Sequence, residues 1–241
     1  MSGHSHFSTI KRAKEVTDKK RGKIFSKMSQ IISMAAKEGG SGDPETNLKL
    51  KTAIEKAKEV NLPKDNIERA IKRGIGDSDE KMILEEIMVE AFGPGGVGIL
   101  ITGITDNKNR TLGEIKQIIN QMNGKVAGEG SVKWQFERKG SLRLGLEQKM
   151  SAEDLEMAAI EAGADDIRQT DNETEIYTKP EDLEKVKKGL EEKGIKIESS
   201  SLDWVPKETV EIDDRTKTTL EKMFEALDEN DDVQDIYSNI K

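Results

Sequence analysis

The chain has 241 residues, a formal net charge of −8 and no cysteine, which excludes disulfides, thiolate metal sites and cysteine nucleophiles. Hydrophobic residues make up 34% and charged residues 36% of the sequence, which predicts small domains with much solvated surface. No apolar run approaches the length of a membrane-spanning helix, so no membrane partner is expected, and the lack of cysteine fits a cytoplasmic protein.

The charge is distributed unevenly along the chain. Residues 1–74 carry 17 basic and nine acidic residues, a net charge of +8, whereas residues 75–241 carry 22 basic and 38 acidic residues, a net charge of −16. A basic segment on an acidic protein is typical of nucleic-acid binding, because lysine and arginine neutralise phosphates and release counterions. The alternative is a solvated tail. The predicted phosphate contacts are Lys11, Arg12, Lys14, Lys19, Lys20, Arg21, Lys23 and Lys27.

The first elements predicted in chain order are an arm and three helices. Residues 1–17 show little apolar periodicity and predict a mobile or partly extended arm. Asp43-Pro44 predicts the N-cap and first turn of a second helix, and Pro63 opens a third. The first helix is indicated by apolar residues three or four positions apart: Ile24, Met28, Ile31 and Ala35. The sequence therefore predicts a basic helical domain at residues 1–78.

The pattern changes to strands after residue 82. Residues 83–92 and 97–104 are rich in β-branched residues and predict two strands, the second of them central in a sheet. The glycine-rich residues 93–96 lack the Lys-Ser/Thr of a phosphate-binding loop and precede a strand, so they predict a hairpin turn.

A polar loop at residues 105–110 leads into the next predicted helix. Thr111 and Glu114 have the spacing of a capping box. Backbone N–H groups and the helix dipole at such an N-terminus favour an anion. Capping alone also explains Thr111, and Asp106 opposes an anion. The residues of this possible anion site are Lys108, Arg110 and Thr111.

Val132, Trp134 and Phe136 alternate with polar residues, which predicts a half-buried strand. In such a strand the two aromatic side chains belong to the core. The alternative is that they form a stacking surface for bases.

The rest of the chain divides into a complete unit and a remainder. Residues 140–200 follow the order β-α-β-β-α-β of a ferredoxin-like domain, and the tail offers a strand, a helix and a last strand. We predict an α+β fold class in which the tail completes the first sheet. The domains are then the basic helical domain, an α/β domain at 79–138 plus 203–241, and an inserted ferredoxin-like domain at 139–202.

The sequence offers few histidine and no cysteine side chains for catalysis or metal binding. His4 and His6 are the only histidines, and two imidazoles without a third ligand make a poor metal site. Acidic pairs such as Asp165-Asp166 are typical of solvated helix and strand starts in a chain so rich in carboxylates. We therefore expect no catalytic residue, no metal and no cofactor.

Several motifs run in order across residues 1–140. They begin with Gly3-His4-Ser5 and Ile10-Lys11 and continue through residues 20–27, 63–72, 93–97, 105–111 and 130–136. As a set they resemble the YebC family of bacterial and organellar gene-expression regulators. Phe7 stands where relatives often have tryptophan.

The resemblance implies three domains and no enzyme activity. It also implies two roles: a DNA-binding transcriptional regulator, and a ribosome-associated translation factor that helps synthesis through proline-rich stretches. The predicted function is thus a non-enzymatic nucleic-acid-binding regulator, with DNA as the partner of the basic N-terminal region. Ribosomal RNA or tRNA on the ribosome is the first alternative. An enzyme acting on a phosphorylated small molecule at residues 105–111 is the second. The sequence leaves the oligomeric state open.

Overall fold

The computed structural model describes residues 6–8, 18–77, 84–145, 150–170 and 173–241. No α-helix within these ranges is both long and apolar enough to cross a bilayer. The described ranges contain seven α-helices and nine strands: β1 (His6–Ser8), α1 (Asp18–Gly39), α2 (Leu48–Glu59), α3 (Lys64–Gly74), β2 (Glu85–Phe92), β3 (Gly98–Thr105), α4 (Lys108–Gln121), β4 (Lys125–Val126), β5 (Phe136–Leu144), α5 (Ala152–Ala162), β6 (Asp166–Thr170), β7 (Glu173–Thr178), α6 (Leu183–Glu192), β8 (Ile197–Pro206), α7 (Asp214–Asp228) and β9 (Val233–Ser238).

Helices α1, α2 and α3 pack around one apolar core, as their periodicity predicts. Helix α3 approaches α1 closely at Gly74, where a Cβ atom would lie 2.3 Å from the backbone oxygen of Ser33. Glycine at position 74 therefore permits this helix contact, and the helix ends just after it, with Ile75 as the C-cap and Gly76 at a φ of 78°. The buried residues of the cluster include Ile24, Met28, Ile32, Leu50, Ala53, Ala57, Leu62, Ile67 and Ala70.

Two helix starts differ from the sequence prediction. The N-cap of α2 is Asn47, whose side chain accepts from the N–H of Leu50 at 3.0 Å, whereas Asp43 lies in the preceding turn. The N-cap of α4 is Asn107, so the predicted capping role of Thr111 is wrong. Asparagine and aspartate are equally good caps, so the sequence does not distinguish Asn47 from Asp43. At α4, asparagine is the better cap of the two residue types, which favours Asn107 over Thr111.

The first sheet has the strand order β1-β9-β3-β2-β4 and is antiparallel throughout. Strand β9 comes from the tail and lies beside β3, as the predicted fold class requires. Strand β1 extends the edge by pairing its three residues with Asp235–Tyr237 of β9. Helices α4 and α7 cover one face, with a core that includes Ile87, Val89, Ile99, Ile101, Ile115, Ile119, Leu220, Phe224 and Ile236.

The other face of this sheet is covered by two different parts of the chain. Met34 of α1 packs against Ile104 at one end. Val132, just before β5, packs with Leu100 and Tyr237 at the other end. The helical domain and the segment before β5 are thereby placed on the same sheet.

The second sheet has the strand order β6-β7-β5-β8, and all neighbours are antiparallel. With α5 and α6 packed against it, this is the ferredoxin-like arrangement that the element order predicts. Strands β5 and β8 pair from Phe136–Pro206 to Leu144–Ile197, with a register shift between Arg143 and Leu144. This ladder crosses the predicted boundaries at 138/139 and 202/203, and the division into domains stays a prediction.

The predicted strand at Val132–Phe136 is wrong for most of its length. Lys133–Gln135 forms a 3-10 turn, and β5 begins only at Phe136. Phe136 is buried as expected, but Trp134 is 66% exposed and does not belong to the core. The alternation of Val132, Trp134 and Phe136 thus arises from a turn in which Trp134 points outward.

Candidate nucleic-acid interface

A cleft of about 1280 Å³ separates the helical domain from the first sheet. Helices α1 and α3 form one wall, and the start of α4 and the α7–β9 connection form the other. The charges on the two walls are mostly opposite. The helical wall carries Lys23, Arg69, Lys72 and Arg73, and the facing wall carries Asp106, Glu114, Glu229, Asp231 and Asp232 together with Arg110.

Two of the lysines predicted to bind phosphate reach the C-terminal end of α7. Lys23 donates to the backbone oxygen of Glu229 and pairs with its carboxylate. The side chain of Lys27 is fully buried, and its Nζ lies 2.9 Å from Asp228 Oδ1 and 3.0 Å from the backbone oxygen of Asp228. A helix C-terminus favours cations, because its last carbonyls are unpaired. These contacts hold α1 against α7, and Lys27 faces the protein interior.

The other predicted contacts lie nearer the chain start. Lys19 and Lys20 are in the first turn of α1, and Arg21 follows as an exposed residue. Three further predicted residues lie outside the described residues: Lys11, Arg12 and Lys14. Their phosphate-binding role stays a prediction.

Helix α3 contributes cations that the sequence reading did not select. Arg69 and Lys72 are exposed, and Lys72 makes no ion pair with any residue in the described part of the chain. Arg73 is less exposed, and its Nε donates to Ser33 Oγ at 3.0 Å. The available signal was the spacing of three and four residues, which places these basic side chains on one helix face.

The carboxylate of Asp232 accepts hydrogen bonds from two residues of the possible anion site, Arg110 and Thr111. Asp232 Oδ2 lies 2.6 Å from Thr111 Oγ1, 2.6 Å from Arg110 Nη2 and 3.0 Å from Thr105 Oγ1. Arg110 also pairs with Asp106 at 2.9 Å. Asp232 therefore supplies from within the chain the negative charge that the prediction assigned to a phosphate.

Lys108, the remaining residue of that site, is the exposed first residue of α4. Among the described residues, no group of three or more histidine, aspartate or glutamate side chains is placed to hold a metal.

The comparison with protein families matches almost the whole chain. The N-terminal domain of TACO1/YebC proteins matches residues 5–77, and the second and third domains match residues 84–240. The chain belongs to the TACO1/YebC family. The resemblance seen in the sequence motifs is thereby confirmed.

Relatives within the TACO1/YebC family are similar over more than nine tenths of their length. A "probable transcriptional regulatory protein" of Halothermothrix orenii is 46% identical over 99% of this chain and 94% of its own length. A protein of the same description from Caldanaerobacter subterraneus is 44% identical over 100% and 98% of the two chains. The crystal structure of a conserved hypothetical protein from Aquifex aeolicus has a TM-score of 0.83 and 40% identity, covering 93% of this chain and 91% of that one.

Asp232 is expected to stabilise this TACO1/YebC protein in its ionised form. Burial raises the pKa of Asp232, but hydrogen bonds from Thr111, Arg110 and Thr105 outweigh it and hold the pKa below its ordinary value. A carboxylate whose pKa is lowered by folding stabilises the fold at pH values above the pKa that it has in the unfolded chain. This contribution is lost as the pH falls through the pKa that it has in the folded protein. Asp232→Asn should therefore lower the free energy of unfolding by about 1–2 kcal/mol at neutral pH.

Urea unfolding at pH 7 and at about pH 3 tests this expectation, because the difference between Asp232→Asn and the unmodified protein should shrink in acid. The exposed neighbour Asp231→Asn is the matched control and should change stability little at either pH. A difference that is the same at both values would show that the charge of Asp232 is unimportant.

Proposed function

We propose that this TACO1/YebC-family protein is a non-catalytic, cytoplasmic regulator of gene expression that binds nucleic acid through its basic N-terminal region. The observation that carries the proposal is the concentration of exposed cations on α1 and α3 of a chain that is otherwise strongly acidic. The description of its relatives as probable transcriptional regulatory proteins supports the same role.

The charge distribution would orient the complex. A polyanion is attracted to the helical domain and repelled by the other two, so its phosphates should approach the exposed side of α1 and α3. Arg21, Arg69 and Lys72 are the contacts best supported by exposure. Lys23 would have to exchange Glu229 for a phosphate, whereas Lys27 is fully buried against Asp228.

Duplex DNA is the first candidate target, because the names of the relatives refer to transcription. Ribosomal RNA or tRNA bound on the ribosome is the second. It is favoured by exposed Trp134, since unpaired RNA bases stack on aromatic side chains. An enzyme acting at residues 105–111 has less support, because Arg110 and Thr111 are engaged by Asp232.

Removing two cations of α3 should weaken nucleic-acid binding in a salt-dependent way. For Arg69→Ala/Lys72→Ala, the slope of log affinity against log salt concentration should flatten by about two, because each phosphate contact contributes roughly one unit. Fluorescence anisotropy with a labelled duplex DNA and a labelled RNA, measured over a range of salt concentrations, gives this slope.

The matched control is Lys185→Ala/Lys188→Ala, which removes two exposed lysines from α6 in the ferredoxin-like domain. This variant should keep the original slope. Equal slopes for the two variants would contradict a role for α3. Absence of saturable binding to either nucleic acid by the unmodified protein would contradict the proposed function as a whole.

A further inference from the structure

The chain has two tryptophans, Trp134 and Trp204. Trp134 projects from the 3-10 turn before β5 and is 66% exposed. Trp204 lies in β8 and is half-buried. Lys133 joins them, because it precedes Trp134 in the turn and its Nζ lies 5.1 Å from the ring centroid of Trp204. The two tryptophans lie in the segment before β5 and in β8, whereas the cations proposed above to bind phosphate lie on α1 and α3.

The exposed indole is fixed in position. Trp134 Nε1 donates to the backbone oxygen of Ser131 at 3.0 Å. The loop that carries it is held by buried Glu90, whose carboxylate accepts from the backbone N–H groups of Gly130 at 2.7 Å, Val132 at 2.6 Å and Lys133 at 2.8 Å. A side chain held this way in the free protein loses little conformational freedom on binding, so its exposed face is suited to a ligand.

Three cations lie close to one or the other tryptophan. Besides Lys133, the guanidinium of Arg138 lies 5.4 Å from the ring centroid of Trp204. Lys207 Nζ lies 2.9 Å from the backbone oxygen of Trp134. All three cationic side chains are exposed. In the acidic part of the chain, this is a local concentration of positive charge on aromatic surface.

Four glutamates lie near Trp134 in space or in the sequence. Glu90 is buried and accepts hydrogen bonds from the backbone of the loop. Glu137 forms an ion pair with Lys139, with 3.7 Å between Oε2 and Nζ. Glu129 and Glu208 are exposed neighbours in the sequence. The cations that lie over the Trp204 ring are Lys133 and Arg138, at 5.1 and 5.4 Å from its centroid. Glu38, Glu86 and Asp235 line the pocket that Trp204 also lines.

We propose that Trp134 stacks on an unpaired base of single-stranded nucleic acid, with Lys133, Arg138 and Lys207 contacting the flanking phosphates. Aromatic faces among cations are the usual composition of single-strand sites, since every base has a face to stack. Bases inside a duplex are already stacked and cannot use the site. Lysine is depleted in protein–protein interfaces, so Lys133 and Lys207 beside Trp134 favour a polyanion over a protein partner. The inference rests on the proposed function, but it concerns different residues.

Fluorescence of the full-length protein with Trp204→Phe tests the contact directly, because Trp134 is then the only tryptophan. Titration with an oligouridylate of about 12 nucleotides should quench its emission, whereas a duplex of equal length should not. Trp134→Ala should weaken oligouridylate binding at least about fivefold and leave duplex binding unchanged, while Trp134→Phe should retain most of the affinity. Met157→Ala, which removes another exposed apolar side chain from α5, is the control and should bind normally.

The outcomes separate this proposal from the proposed function. If the protein binds oligouridylate without quenching, and Trp134→Ala binds as tightly as Met157→Ala, the stacking site is overturned and Trp134 is better assigned to a protein contact. Equal losses on duplex and single strand would overturn the single-strand preference. If the unmodified protein binds no nucleic acid, both proposals fall. A salt slope flattened by about two in Arg69→Ala/Lys72→Ala, with intact quenching, would support both.

Discussion

Glu90→Ala is expected to lower the free energy of unfolding by about 3 kcal/mol. Glu90 is 5% exposed, and its carboxylate accepts three backbone N–H groups from the loop before β5. Alanine leaves those donors without a protein acceptor, and at least the N–H of buried Val132 loses its partner away from water. The lost hydrogen bonds all belong to the loop that carries Trp134, so this variant should also let the indole ring move.

Two measurements check this expectation. Urea unfolding gives the loss of stability, and fluorescence anisotropy of Trp134 in the Trp204→Phe background reports the motion of its ring. Glu90→Gln keeps one acceptor oxygen and should cost less than alanine, whereas exposed Glu137→Ala should change neither quantity appreciably. A Glu90→Ala variant as stable and as rigid as Glu137→Ala would show that the loop is held by something else.

The pH dependence of this contact has a defined sign. Burial raises the pKa of Glu90, but the hydrogen bonds from Lys133, Val132 and Gly130 outweigh it and leave the pKa below its ordinary value. The stabilisation is therefore complete above the unfolded-state pKa and is lost as the pH falls through the folded-state pKa. In acid, the unmodified protein and Glu90→Gln should converge in stability.

Much of the fold is predictable because local pattern and long-range pairing agree. The helical core of residues 18–77 follows from spacing, and the ferredoxin-like sheet follows from element order. Trp134 is different, because Val132, Trp134 and Phe136 alternate as in a strand while forming a turn. The residue that decides between the two, Glu90, lies 40 positions away from Gly130. No local pattern contains that information.

In the basic segment, too, the sequence does not show which distant residue each side chain contacts. The sequence identifies its lysines but cannot distinguish one that binds phosphate from one that docks a domain, because both need a positive charge. The partner of Lys27 is Asp228, 201 positions along the chain. The partner of Lys23 is Glu229, and the anion beside Arg110 is Asp232, 122 positions away. Each of these acidic partners comes from the end of α7 or the connection to β9.

Lys27→Met is expected to lower the free energy of unfolding by about 2–3 kcal/mol without changing the salt dependence of nucleic-acid binding. Methionine keeps the apolar stem but takes the ammonium away from Asp228, whose side chain is only 18% exposed. Lys23→Met is the matched control, since it breaks the neighbouring pair with Glu229, which is 56% exposed, and should cost below about 1 kcal/mol.

Measuring urea unfolding and the salt slope of binding on the same two variants separates docking from phosphate contact. A lysine that docks α1 on α7 changes stability and leaves the slope intact, whereas a lysine that binds phosphate flattens the slope by about one unit and leaves stability nearly intact. Lys27 should follow the first pattern. If Lys27→Met flattened the slope at unchanged stability, the ammonium would have to leave Asp228 when nucleic acid binds. The cleft between the two walls would then open in the complex, and its acidic wall would act as a competitor for the helical domain.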